Sequence, residues 1–232
     1  MAFGNPPYTL TSTPMTLHDQ KNAILLLMDF AVNEEDQAPA RELLEKYAAD
    51  TIALHLFHEF YSYLPEAEND AVRILRRLDK KGGNFLIAAT TIRDTYLYLA
   101  NSEGAEFLGN HQDGIWDEEI LEHFGISREE ALAKFRDLST FPVYVPVNLD
   151  KSLCLVCAVD HGELHRLGCP LEVCPWCEGQ LTNCNCRFSE AGVEQLTSEP
   201  QLEKFIKALD AKGRIPFDAT DQSVGFKTLP TK

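Results

Sequence analysis

The sequence predicts an α+β fold that is mostly α: a helical N-terminal domain, then a small cysteine-rich β module, then a C-terminal helix. Three observations predict it. Apolar residues recur at helical spacing over much of the first 140 residues. All seven cysteines fall between Cys154 and Cys186. Beyond them Leu202, Phe205, Ile206 and Leu209 form one apolar helix face, opened by Pro200 and stopped by Gly213. The expected divisions are a loose leader at 1–14, an acidic helical domain at 15–140, the cysteine-rich module at 141–190, and a helix with a tail at 191–232.

Pro6, Pro7 and Pro14 among Thr and Ser give the leader its extended character. Thr16 and Asp19 form a capping pattern that opens a helix running to about Phe30. The acidic stretch Asn33–Asp36 reads as a loop. From about Pro39, an apolar stripe through Leu43, Leu44, Tyr47, Ile52, Leu56, Phe57 and Phe60 predicts one long or broken helix that Pro65 stops. A helix at about 67–80 would use Ala71, Ile74, Leu75 and Leu78, with Gly82-Gly83 as its terminus. Phe85 to Ala100 contains β-branched Thr90, Thr91 and Ile92, yet its length favours a buried helix. A loop over 101–114, helices at about 117–124 and 128–137, and a short edge strand from Phe141 to Val147 complete the body. The sequence shows no internal repeat.

A hydrophobic fraction of 44% with 25% charged residues is that of a chain with a real core. The net charge of −15 is uneven. Residues 1–150 hold 12 Lys/Arg against 25 Asp/Glu, residues 151–190 three against five, and the remainder six of each. An acidic body repels phosphate backbones, so nucleic acid is disfavoured as a partner. The longest early apolar run, Ala23 to Met28, meets Asp29, whereas a bilayer span needs ~20 apolar residues. A cytoplasmic protein without a membrane segment is expected, where clustered thiols are metal ligands rather than disulfides.

The cysteines read Cys154-Leu-Val-Cys157, Cys169, Cys174-Pro-Trp-Cys177 and Cys184-Asn-Cys186. Two C-x-x-C pairs sixteen residues apart can each present two soft, charged thiolates to a tetrahedral ion. The turn Cys174-Pro175-Trp176-Cys177-Glu178-Gly179 resembles the C-P-x-C-G knuckle of zinc-ribbon domains, with Gly one place later, and the resemblance covers about residues 152–187. It implies one Zn2+ held by Cys154, Cys157, Cys174 and Cys177. A two-ion arrangement is the alternative: Cys174, Cys177, Cys184 and Cys186 would hold one ion, and Cys154, Cys157 and two of His161, His165 and Cys169 the other. Four cysteines leave no open position, so the site is expected to hold structure rather than activate water. Iron in place of zinc and redox chemistry at Cys-Pro-Trp-Cys are weaker alternatives.

Weaker signals have ordinary explanations. Leu121 to Glu130 resembles the turn of helix-turn-helix domains, but Arg128-Glu129-Glu130 would set carboxylates against phosphates, and an αα corner explains it. His55, His58 and Glu59 share a helix and offer a two-imidazole face without a further ligand. No nucleophile-and-base pattern or phosphate loop is present, so an enzyme has no positive support. The expected function is that of a zinc-binding, non-enzymatic protein-interaction or regulatory protein. One alternative is a nucleic-acid-associated zinc-ribbon factor using Lys151, Arg166 and Arg187; another is a metal-dependent enzyme.

Overall fold

The computed structural model describes residues 15–63 and 69–222. The expected leader, the stop at Pro65 and the last ten residues lie outside them. Three helices come first, α1 (Leu17–Ala31), α2 (Glu34–Lys46) and α3 (Thr51–Ser62). The Thr16/Asp19 capping box opens α1. The stretch expected as an acidic loop is the first turn of α2, where Glu34, Glu35 and Asp36 meet the positive end of the helix dipole.

The middle of the chain overturns the mostly helical expectation. Residues 72–110 form a four-stranded antiparallel meander, β1 (Val72–Lys81), β2 (Asn84–Thr91), β3 (Thr95–Ala100) and β4 (Ala105–Asn110), in the order β1-β2-β3-β4. Helices expected at about 67–80 and 85–100, and the loop over 101–114, give way to it. The misleading signal in β1 has a physical origin. Register shifts at Val72/Ile74 and Arg77/Asp79 advance the strand's buried side by a residue, so Val72, Leu75 and Leu78 are buried at intervals of three. Gly82 and Gly83, both at positive φ, turn a hairpin rather than stop a helix. In β2 both faces are covered, so alternation is lost and the strand reads as one apolar run.

That double covering makes three layers. Phe85, Ile87 and Ala89 face α1–α3 and pack with Ile24, Met28, Leu54, Phe57 and Phe60. Leu86 and Ala88 face the other way, onto Ile115, Ile120, Leu121, Ala131 and Phe135 around α4 (Glu118–Phe124) and α5 (Arg128–Lys134). Gly125 at φ 70 ends α4 and the Ser127/Glu130 capping box opens α5. The outer edge of β1 is occupied: Tyr144 N–H donates to the Leu75 carbonyl (2.8 Å), Arg77 N–H donates to that of Pro142 (3.1 Å), and Val143 bridges Arg76.

Asp50 ties this body to the segment that leads into the cysteines. Its buried carboxylate caps α3 through Ala53 N–H (2.9 Å) and accepts from Val147 N–H (2.6 Å) and Tyr144 O–H (3.1 Å). Burial pushes this carboxyl up despite those donors. The chain leaves this anchor for the cysteine-rich stretch, then forms α6 (Cys186–Ala191) and α7 (Glu199–Lys212).

Candidate metal centres

Two backbone turns of the same geometry carry the C-x-x-C pairs. In the first, Leu153 bridges Asp160, Cys154 N–H donates to the Val159 carbonyl (2.9 Å) and Ala158 N–H to that of Cys154 (2.8 Å). In the second, Val173 bridges Gln180, Cys174 N–H donates to the Gly179 carbonyl (2.7 Å) and Glu178 N–H to that of Cys174 (2.9 Å). The residue after the second cysteine is left-handed in both, Ala158 at φ 57 and Glu178 at φ 59. The backbone repeats here, while apart from the cysteines the side chains do not.

Each turn draws its other two donors from the chain beyond it. Cys154, Cys157, His165 and Cys169 form one group, and Cys174, Cys177, Cys184 and Cys186 another, with ligand atoms within 4.8 Å of one another in each. The grouping is thus that of the two-ion alternative, not the expected set of Cys154, Cys157, Cys174 and Cys177. His161 stays outside: it lies 3.7 Å from Asp218 and accepts from Ala219 N–H (3.3 Å). All seven cysteines are free thiols.

The donor atoms fit a tetrahedral ion. Zn–S bonds of ~2.3 Å at tetrahedral angles place two sulfurs ~3.8 Å apart, and Cys154 Sγ lies 3.8 Å from Cys169 Sγ. Cys157 Sγ is 3.3 Å from His165 Nδ1. Hydrogen bonds from Cys157 and Cys169 hold the Cys154 thiol far below its usual range, and the bond to Cys154 pushes Cys169 up. Burial works against a charged His165, but hydrogen bonds to Cys154 and Cys157 prevail and push it up to about 10. In the second group burial pushes Cys174 up and Cys186 up to about 11, while the backbone N–H of Gly179 holds Cys177 down. An arriving cation would displace these protons.

The surroundings of the two groups differ. Every donor of the first is buried. Gln222 Oε1 accepts from His165 Nε2 (2.8 Å), which fixes the proton there and turns Nδ1 toward Cys157. Phe217 stacks edge-on against the imidazole at 5.2 Å. The group also rests on the β1–β2 hairpin. Gly83 lies so close that a Cβ there would sit 2.3 Å from the Cys157 carbonyl oxygen. Glu163 accepts from Gly82 N–H (3.1 Å), Arg166 donates to Asn84 Oδ1 (3.1 Å), and Lys80 pairs with Asp160 at 2.6 Å. The second group is half-open, with Cys174 buried, Cys184 and Cys186 half-buried and Cys177 exposed. It packs on α7 through Leu181, Phe205 and Leu209. Between the two, buried Glu172 takes the Arg214 guanidinium (2.8 Å), which also reaches the His165 carbonyl, while its own carbonyl holds Leu181 N–H (2.8 Å).

Four donors per group leave no coordination position for a substrate. The His55/His58/Glu59 face makes no such group among the described residues. His55 Nδ1 contacts the Asn101 carbonyl (3.2 Å), and His58 contacts Ser62 Oγ (3.4 Å). Of the three cations expected to suit phosphate, Arg166 is held by Asn84 and Glu103, and Arg187 by the Thr182 carbonyl and the Phe188 ring. Sequence reasoning missed Gln222, Phe217, Glu172, Arg214 and the role of Gly83. Comparison with protein-family models, curated proteins and solved structures finds no match for the chain. No helix among the described residues is long and apolar enough to cross a membrane.

Proposed function

We propose that the protein binds two Zn2+ ions, one at Cys154, Cys157, His165 and Cys169 and one at Cys174, Cys177, Cys184 and Cys186, and that it serves as a non-enzymatic protein-interaction factor. The observation that carries this reading is the pair of closed four-donor groups, each built on its own turn. Thiolate and imidazole donors in a tetrahedral set suit zinc. The ions would hold structure: they fix a stretch of chain that contributes little apolar core of its own, and the first braces it on the β1–β2 hairpin. An acidic body in a chain of net charge −15 then offers its surface to a protein rather than to nucleic acid.

Elemental analysis of the purified, reduced protein tests the metal part. Two zinc ions per chain are expected, with Cys157→Ser and Cys177→Ser each removing one. A single ion abolished by either substitution would instead support the ribbon pairing. Substrate turnover by the purified zinc-loaded protein would count against the non-enzymatic reading.

A further inference from the structure

Between α4 and α5 lies an open cleft of about 560 Å3, whose lining includes Trp116, Ile126, Arg128 and the acidic residues Glu118, Glu122 and Glu129. Trp116 is 66% exposed, an uncommon position for the largest side chain. Its indole already receives a guanidinium, since the Arg128 carbon lies 3.2 Å from the ring centroid. Glu118 and Glu122 stand one turn apart on α4, where like charges repel and a cation between them would be favoured.

We propose that this cleft docks a basic segment of a partner protein, one arginine or lysine of which lies on the exposed side of Trp116 among Glu118, Glu122 and Glu129. The proposal rests on the protein-interaction reading and gives the partner its chemistry. Charge complementarity selects the occupant: an aromatic wall with a carboxylate rim favours a cationic side chain, and the acidic body steers it inward. Leu121 and Ile126, which also line the cleft, suit an aliphatic neighbour in the same segment.

The test is a fluorescence-anisotropy titration of the zinc-loaded full chain with a labelled peptide of alternating arginine and leucine. Binding is expected to weaken about tenfold on Trp116→Ala and again on combined Glu118→Gln, Glu122→Gln and Glu129→Gln. The same peptide with citrulline for arginine is expected not to bind. Absence of binding, equal affinity in the Trp116→Ala protein, or equal affinity of the citrulline peptide would overturn the proposal. So would a dimer in sedimentation that Trp116→Ala disperses, because the cleft would then belong to a second copy. The substituted glutamates keep the experiment decisive should the tryptophan variant misfold. A failed titration rejects the cleft alone; the interaction reading on which it rests falls only if the zinc-loaded chain turns over a substrate.

Discussion

The two cysteine groups start from one backbone turn and end in opposite surroundings. The first is sealed: His165 is oriented by Gln222, and Cys157 presses its carbonyl against the hairpin at Gly83. The second keeps Cys177 at the surface and, among the described residues, packs against Phe205 and Leu209 of α7. A C-x-x-C turn therefore determines two donors and little else. The residues packed around it decide whether losing an ion disturbs the whole molecule or one corner of it.

The largest expected contrast comes from removing one ion at a time. Structural zinc carries an apparent ~10–16 kcal/mol of binding that is also folding free energy. Cys157→Ser is expected to lower the thermal midpoint of the whole chain by on the order of 10 °C. Cys177→Ser should leave the helix–sheet body within about 2 °C while residues 174–212 exchange amide hydrogens rapidly. Calorimetry and hydrogen exchange read both, and equal effects would erase the distinction between the two groups.

The next contrast uses two glycines. At Gly83, φ is +76° and a Cβ would meet backbone, so Gly83→Ala should cost about 3 kcal/mol in a denaturant titration. At Gly179 the nearest atom to a Cβ is Cys177 Sγ at 3.6 Å, an ordinary contact, and Gly179→Ala should stay within about 0.5 kcal/mol.

Gln222→Ala frees the His165 ring to turn. It is expected to weaken metal at the first group by about 10–100-fold and leave the second unchanged. Competition with a chromophoric chelator would show one population of ions shifted and one not; two shifted populations would make Gln222 a general stabiliser.

The smallest effects concern the left-handed residues. Ala158→Gly and Glu178→Gly relieve strain and should each stabilise by about 1 kcal/mol. A gain at Glu178 without one at Ala158 would mean that packing around the buried turn already compensates for its strain.

Physical causes separate the features legible in the sequence from those that were not. The cysteines pointed to metal ligation because two C-x-x-C pairs stand close together in a stretch holding an odd number of thiols. Their pairing did not show, since both C-x-x-C turns are alike and only the chain beyond each decides where His165, Cys169, Cys184 and Cys186 go. Caps at Thr16 and Ser127 were readable because each is completed within four residues. The meander was not: bulges gave β1 a period of three, and burial on both faces removed the alternation of β2. Gln222 carried no signal, being one amide in a polar stretch whose partner lies far back in the chain; the cue was a candidate ligand histidine whose other ring nitrogen needs an acceptor.

That distance has a consequence in time. A chain grows at about 5–20 residues per second. The 57 residues from His165 to Gln222 therefore take about 3–11 s to synthesise. The first group has its four donors once Cys169 is made and the second once Cys186 is made, whereas Phe217 and Gln222, which cover the first, follow both. The buried group is thus the first to have its ligands and the last to be covered, and the ribosome has made the donors of both groups before Gln222 can orient His165.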